Sequence, residues 1–228
     1  MTHSRHVLII DNSLRTRSTW YPIRRHVRAH YTVAHRFSGE IPGDISAYSH
    51  IILTGGAGLP LSISKDVEPL HALIRSAAKR QTPLLGICYG AQAIATAFGG
   101  DEMLRQYHHP EYGWVEVHQR LPHPLLSLRH KNFAAFENHV DSINSLPVDF
   151  ITTASSKTCP VQAFMHQTLP IFGVQFHPEV TATKAKHVIH RARHSYTPDR
   201  WLHRPSQTDE LYDPTLGRDI FRAFLNVQ

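Results

Sequence analysis

The first half of the chain alternates short apolar runs with segments whose apolar residues recur at helical spacing, and this alternation restricts the fold more than any other feature. The apolar runs are rich in β-branched residues, as expected of strands buried on both faces. We predict strands at residues 7–11, 31–34, 51–53 and 83–87. We predict helices at 14–28, with a kink at Pro22, and at 66–79 and 91–98. Such alternation favours a parallel sheet with helices on both faces.

The pattern changes from about residue 112 onward, where strand-like segments follow one another without long helices between them. They lie at 114–117, 149–153, 161–165 and 171–176. We predict a helix at 184–193, a polar, proline-containing loop at 195–216 and a closing amphipathic helix at 219–227. The predicted fold class is therefore α/β, with an open, mainly parallel sheet flanked by helices and extended by antiparallel strands.

Length and composition are those of an ordinary globular protein. At 228 residues the chain fits a single domain over 1–228, given about 150 residues per domain. It has two cysteines, and its N-terminal apolar run spans only residues 7–10. A signal peptide needs an apolar run of about 7–15 residues and a membrane span about 20. We therefore expect a cytoplasmic protein with reduced thiols and no membrane association. The net charge of +6 suits an acidic partner or anionic substrate without requiring nucleic acid.

The sequence Gly86-Ile87-Cys88-Tyr89-Gly90 stands between a predicted strand and a predicted helix. This is the cysteine form of the nucleophile elbow, in which a tight turn presents the nucleophile at the carboxyl end of the sheet. The start of a helix also favours the reactive thiolate. The alternative is a buried structural cysteine, which is the commonest role of this residue type.

A second segment offers the partner that such a cysteine needs. His177 follows a strand-like run, and Pro178 and Glu179 come directly after it. A histidine in this place can act as general base to a thiol and then as general acid to a leaving amine. The Glu179 carboxylate can accept the other imidazole N–H and orient the ring. Most of the 19 histidines of the chain are expected to be surface or core residues instead.

A third segment, Thr54-Gly55-Gly56-Ala57-Gly58, lies at the end of a predicted strand. Attack of a thiolate on a carboxamide creates an oxyanion that needs preorganised donors, each worth about 3–4 kcal/mol. A glycine-rich loop can aim a backbone N–H at that oxyanion, and Tyr89 N–H can supply the second donor. An ordinary turn is the alternative. The segment is no P-loop, because no Gly-Lys-Ser/Thr follows it.

Together, these three motifs resemble those of class I glutamine amidotransferases, and most closely the glutaminase part of GMP synthase. Phe136-Glu137-Asn138-His139-Val140-Asp141 stands where that family has a Ser-His-Gly-Asp segment that contacts bound glutamine. The resemblance covers about residues 5–183 and resumes at 217–225. It implies a flavodoxin-like fold, L-glutamine as substrate, no cofactor and no metal.

The resemblance also implies a role for each matching residue. Cys88 would be the nucleophile, His177 the base and acid, and Glu179 the residue that orients His177. The remaining matches would form the oxyanion hole (Gly56 and Tyr89) and bind glutamine (Gly55, Gln92, Asn138 and Asp141). Ala57, Asn138 and Val140 depart from the family, which has proline, serine and glycine there.

The resemblance does not extend to an acceptor-activating domain. The Ser-Gly-Gly-x-Asp-Ser loop of an ATP pyrophosphatase is absent from the sequence. We therefore expect an ammonia-supplying glutaminase with a separate synthetase or acceptor-activating partner. A free-standing γ-glutamyl amide hydrolase or transferase, and a catalytically silent regulatory or binding protein, are the alternatives.

An atypical insert at about 184–216 carries many cations, which include His187, His190 and His194 near one helical face. A solvated basic face is the interpretation we prefer over a metal site. Trp201 among these cations favours a docking surface for the partner protein, and a nucleic-acid role is not expected.

Overall fold

A computed structural model describes residues 5–14, 18–57, 67–105, 110–194 and 198–228. Within these residues the β-strands are β1 (His6–Ser13), β2 (His30–His35), β3 (His50–Ala57), β4 (Leu84–Ile87), β5 (Leu104–Arg105), β6 (Glu111–Gln119), β7 (Asn132–His139), β8 (Ser142–Ile143), β9 (Phe150–Ser155), β10 (Ala163–His166), β11 (Ile171–Val174) and β12 (Leu202–His203). The α-helices are α1 (Glu68–Arg80), α2 (Tyr89–Gly99), α3 (Ala182–Arg193), α4 (Thr208–Leu211) and α5 (Pro214–Leu225). Short 3-10 turns lie at Ile23–Arg25, Arg36–Ser38, Asp101–Met103, Leu128–His130 and Asp199–Trp201.

Ten of the described strands form one mixed sheet, in the order β12-β6-β9-β10-β11-β4-β3-β1-β2, with β7 paired to β6. The pairs from β11 through β4, β3 and β1 to β2 are parallel. The pairs β11–β10, β10–β9, β9–β6 and β6–β7 are antiparallel. The predicted fold class, a mainly parallel sheet extended by antiparallel strands, is thus confirmed.

The sheet has a separate apolar layer on each face. Val7 and Ile9 of β1 face a cluster that includes α5, whereas Leu8 and Ile10 face a cluster that includes α1 and α2. This alternation follows from the two-residue period of a strand, and it explains why the run is apolar at every position.

The predicted helix at 14–28 is wrong for the described part of that segment, which forms only the 3-10 turn Ile23–Arg25. Ser18 and Thr19 direct their hydroxyl groups to the Asp11 carboxylate, which holds the chain at the end of β1. The sheet face that a helix would cover is instead occupied by α5, whose Phe221 stacks on His26 with ring centroids 4.6 Å apart.

Residues 195–197 of the predicted loop lie outside the described residues. The described part, residues 198–216, is more regular than a loop, because it contains β12, α4 and the first residues of α5. Its strand β12 pairs with Tyr112 and Gly113 of β6. Trp114 donates its indole N–H to Thr208 Oγ1 at 3.1 Å. Ala185 and Ile189 of α3 pack with Trp114 and Phe136 in a third apolar cluster. The insert therefore covers the β6–β7 ribbon and leaves the cations of α3 exposed.

Candidate active site

Cys88 lies at the turn between β4 and α2, at the carboxyl end of the parallel strands. Its φ of 49° and ψ of −106° lie in a region that residues with side chains rarely adopt. The flanking glycines are required by close packing. A Cβ atom on Gly86 would approach Gly90 to 2.6 Å, and one on Gly90 would approach the Leu53 carbonyl oxygen to 2.4 Å. The strained turn presents the sulfur atom at the N-terminus of α2, as expected of a nucleophile elbow.

The segment after β11 brings His177 to the same edge of the sheet. The Cys88 N–H donates to the Val174 carbonyl at 2.8 Å, which links the turn to the end of β11. The His177 N–H donates to the Phe136 carbonyl of β7, also at 2.8 Å. Glu179 Oε1 lies 2.7 Å from His177 Nδ1. Cys88, His177 and Glu179 are all buried.

The electrostatic surroundings of His177 favour its protonated form. Burial alone would lower its pKa, but the Glu179 carboxylate and then the Cys88 side chain outweigh burial and hold the pKa well above its usual value. His177 Nε2 has no partner with regular hydrogen-bond geometry among the described residues. Hydrogen bonds between a nucleophile and its base are often long or poorly aligned without substrate. A proton-holding imidazole beside sulfur is suited to a thiolate–imidazolium pair.

Gly55 and Gly56 continue β3 instead of forming the expected loop, and Gly56 pairs with Asn12 of β1. Gly55 faces the reactive pair, because a Cβ atom there would lie 2.8 Å from His177 Cε1 and 3.8 Å from Cys88 Cβ. Gly56 faces the Tyr89 ring, and Gly58 lies outside the described residues. Tyr89 N–H belongs to the first turn of α2, where N–H groups have no acceptor within the helix.

A buried polar network fixes the Gly55 carbonyl from the opposite side. Thr54 Oγ1 donates to the Gly55 carbonyl oxygen at 2.8 Å, and Thr19 Oγ1 also lies 2.8 Å from that oxygen. The single Thr19 hydroxyl hydrogen is shared between this carbonyl and the Asp11 carboxylate and cannot be donated to both at once. Asp11 Oδ1 lies 2.9 Å from Thr19 Oγ1 and 2.6 Å from Ser13 Oγ. Because the carbonyl and the next N–H point in opposite directions across a trans peptide, this network also sets the direction of Gly56 N–H.

Comparisons with known proteins identify the family of this chain. The model of the glutamine amidotransferase class-I family matches residues 9–194. The chain belongs to this family. It is 36% identical to the glutamine-hydrolyzing GMP synthase subunit of Thermoplasma acidophilum, over 82% of this chain and 78% of that protein. It is also 36% identical to the corresponding GMP synthase subunit of Picrophilus torridus, over 78% of this chain and 91% of that protein.

Solved structures share the fold of this amidotransferase. The crystal structure of a glutamine amidotransferase from Thermotoga maritima superimposes on this chain with a TM-score of 0.77 at 21% identity. The match covers 99% of this chain and 100% of that one. The crystal structure of a glutamine amidotransferase from Methylobacillus flagellatus superimposes with a TM-score of 0.74 at 20% identity. The match covers 97% of this chain and 94% of that one. At these identities the likeness concerns the fold alone.

Of the helices in the described part of this chain, none has the length and apolar character required to cross a bilayer.

Two of the residues expected to bind glutamine are brought together, and a third lies apart from them. Gln92 is buried and donates its amide to the Asp141 carbonyl oxygen at 2.8 Å. Gln92 therefore contacts the Asp141 segment of this amidotransferase directly. Asn138 is exposed on β7, on the strand face opposite to Glu137 and His139. Their roles toward substrate stay predictions.

Gln175 is a residue that sequence reasoning did not single out. It is buried, its Nε2 lies 3.7 Å from Cys88 Sγ, and its Oε1 accepts from Gln92 Nε2 at 3.5 Å. Its place at the end of the predicted strand that leads to His177, at the carboxyl end of the sheet, is the signal that would have indicated it. Gln175 thereby connects the sulfur atom to the residues around Asp141.

Sequence reasoning also missed a second buried polar cluster. It is formed by Glu111 of β6 and by Glu137 and His139 of β7. Burial would raise the pKa of Glu111, but the hydrogen bond with His139, the charge of His139 and the Thr158 hydroxyl together outweigh burial and lower that pKa. For Glu137 burial dominates and raises the pKa to about 7. Burial would lower the pKa of His139, but both carboxylates raise it to about 10. The His139 proton is therefore held mainly by Glu111, and Glu137 is the weaker partner.

A small cavity of about 10 Å³ adjoins His177, with Trp114, Phe136, Pro178 and Tyr212 in its wall. This is room for about one water molecule, and not for an amino acid. A pocket of amino-acid size beside Cys88 stays a prediction.

Proposed function

We propose that this chain hydrolyses the side-chain amide of L-glutamine and supplies the ammonia to a separate protein. The observation that carries the proposal is Cys88 in a strained turn at the start of α2, beside a buried His177 whose Nδ1 lies 2.7 Å from Glu179. This arrangement of nucleophile, base and orienting carboxylate is the one that acyl transfer requires.

The proposed reaction proceeds in two halves. The Cys88 thiolate attacks the amide carbon, and the N–H groups of Gly56 and Tyr89 stabilise the oxyanion. His177 gives its proton to the departing nitrogen, so that ammonia leaves and a γ-glutamyl thioester remains. Water then attacks the thioester while His177 takes its proton as general base. Glutamate leaves as the sulfur departs as a thiolate, and the thiolate–imidazolium pair is restored because His177 keeps the proton taken from water.

The partner is proposed from the relatives and from the sequence. The relatives are named as subunits of a glutamine-hydrolyzing GMP synthase, and no Ser-Gly-Gly-x-Asp-Ser loop is present here. We therefore propose a synthetase or other acceptor-activating protein on a separate chain. A cytoplasmic location belongs to the same proposal, since Cys88 must remain a free thiol.

The first experiment measures glutamate release from glutamine by the purified protein. We expect slow turnover in the wild type and none in Cys88→Ala. Cys159→Ser is the matched control, because Cys159 is also buried but donates to the Val161 carbonyl, and burial raises the pKa of its thiol well above the usual value. It should retain turnover. A glutamine-like electrophile, 6-diazo-5-oxo-L-norleucine, should label Cys88 and leave Cys159 unlabelled.

A second candidate function is hydrolysis of other γ-glutamyl amides. It is favoured by Val140 and Asn138, which replace the small residues of the family segment that contacts glutamine. The assay should therefore include γ-glutamyl peptides beside glutamine. A higher kcat/KM on the peptides would replace the first candidate by the second. Absence of both turnover and labelling would leave a catalytically silent binding protein and refute the proposed chemistry.

A further inference from the structure

The antiparallel pair β6–β7 places three potential metal ligands on one buried face. Its register sets Glu111 directly opposite His139, and Glu137 lies two residues before His139 on the same strand face. His139 Nε2 lies 2.9 Å from Glu111 Oε2 and 3.3 Å from Glu137 Oε2. All three ligating atoms lie within 4.8 Å of one another, and all three residues are buried.

Protein groups alone leave this cluster incompletely satisfied. His139 Nε2 carries at most one hydrogen, so it can donate to only one of the two carboxylates. Glu111 is the better partner, and both oxygen atoms of Glu137 lack a hydrogen-bond donor among the described residues. Glu137 is fully buried. A fully buried carboxylate without donors is unfavourable, so an additional cationic ligand would be stabilising.

The surroundings already hold Glu111 in position. Its Oε1 accepts from the Thr158 hydroxyl and from Ser156 Oγ at 3.3 Å, and its Oε2 accepts from Gln162 Nε2 at 3.2 Å. Hydrogen bonds of this kind orient ligating carboxylates in metal sites. The cluster therefore combines one oriented carboxylate, one unsatisfied carboxylate and one imidazole.

We propose that Glu111, Glu137 and His139 bind one divalent transition-metal ion, with Zn²⁺ as the ion that fits them best. A divalent ion that replaces the Nε2 proton would neutralise both carboxylates and bond to each of them. Tetrahedral Zn²⁺ at about 2.0–2.1 Å from its ligands sets neighbouring ligand atoms about 3.3 Å apart. The observed separations from His139 Nε2, 2.9 and 3.3 Å, need little adjustment to reach that value.

The proposed ion has a structural role and takes no part in the reaction at Cys88. The ion would join β6 to β7 at one end of their ribbon, where Glu111 pairs with His139, and β7 also carries Phe136. The Phe136 carbonyl accepts the His177 N–H, so a stiffer β7 also holds the backbone of His177. The proposal is independent of the proposed function, and it is tested by metal binding and stability, without an activity measurement.

The experiment removes metal from the full-length protein with a chelator, adds Zn²⁺ and dialyses away the excess. Metal content and thermal unfolding are then measured. Surface histidines also bind zinc, and the exposed pair His190 and His194 on α3 has ring centroids 4.2 Å apart. The measurements are therefore made in an H190A/H194A background. Glu137→Gln removes the unsatisfied ligand at constant size, and Glu116→Gln on the exposed face of β6 is the matched control.

We expect one Zn²⁺ per chain in the background protein and in Glu116→Gln, together with a higher Tm than in the metal-free protein. Glu137→Gln should bind Zn²⁺ about 100-fold more weakly and show no increase in Tm. Without metal it should be at least as stable as the background, because it lacks the buried charge. Co²⁺ provides a second measurement that needs no variant at position 137, since a tetrahedral site gives intense visible absorption. Zinc retention unaffected by Glu137→Gln, or absence of both zinc retention and this cobalt absorption, would overturn the proposal.

Discussion

Gly55→Ala should reduce the proposed glutaminase activity without unfolding the protein, because the new methyl group would push against the imidazole of His177. The added Cβ atom would lie 2.8 Å from His177 Cε1, at least about 0.7 Å short of the usual carbon–carbon contact of about 3.5–4.0 Å. The imidazole cannot move away freely, since its Nδ1 lies 2.7 Å from Glu179 and the residue is buried. A shift of about 1 Å in a reacting group costs about 100-fold in rate, so we expect kcat to fall about 10- to 100-fold.

The stability of Gly55→Ala should fall by about 1–3 kcal/mol, as is usual for overpacking. Gly55 does not have a positive φ, so the backbone accepts alanine without strain. Steady-state glutamate release and denaturant unfolding measure the two effects separately. Gly43→Ala is the control, because a Cβ atom there would have no neighbour within 4 Å. If Gly55→Ala keeps the kcat of the wild type, Gly55 does not contact the working conformation of His177, and the proposed geometry is refuted.

Two further predictions concern the network behind Gly55 and a buried histidine. Thr19→Val removes the hydroxyl group that lies 2.8 Å from the Gly55 carbonyl oxygen and 2.9 Å from Asp11, and it should lower kcat about 10-fold or more with little change in KM. Thr19→Ser keeps the hydroxyl group and should keep the kcat of the wild type. Equal activity in all three proteins would exclude a positioning role. His123 accepts the Leu125 N–H and contacts the Phe164 carbonyl, and burial lowers its pKa from 6.5 to about 4. As the pH falls, the unfolded chain therefore takes up the proton on His123 before the folded protein does. His123 lowers the free energy of unfolding by up to about 3 kcal/mol as the pH falls from about 6.5 to about 4. His123→Gln should remove that part of the acid sensitivity in denaturant unfolding at several pH values, and an unchanged difference between neutral and acidic pH would contradict the assignment.

The local parts of the site could be predicted from short stretches of sequence. Gly86 and Gly90 mark the turn around Cys88 because only glycine allows strand and helix to approach to these distances. The apolar runs predicted most of the strands correctly, since a strand buried on both faces needs apolar residues throughout. The proximity of His177 to Cys88 followed from family resemblance, and no periodicity of the sequence indicates it.

Strand β7 was not predicted, because Glu137, Asn138 and His139 interrupt its apolar pattern. The β6–β7 register buries Glu137 and His139 opposite Glu111, and that burial depends on pairing between segments distant in the chain. The predicted helix at 14–28 failed for a related reason. The spacing of its apolar residues was compatible with a helix. In the structure Ser18 and Thr19 are held by hydrogen bonds to Asp11, and α5 packs where the helix would lie.

The sequence by itself determined the nucleophile turn, the alternating strands and the family. The turn and the strands depend on residues adjacent in the chain, and the family is recognised from three short motifs, each of which is local. The tertiary structure alone decided that Gln175 contacts the sulfur atom, that the insert covers the β6–β7 ribbon, and that a second buried cluster lies on this ribbon. These features depend on strand order and register, which arise from the packing of the whole sheet. Burial then converts such contacts into shifted pKa values, because charges removed from water interact strongly with their few remaining neighbours.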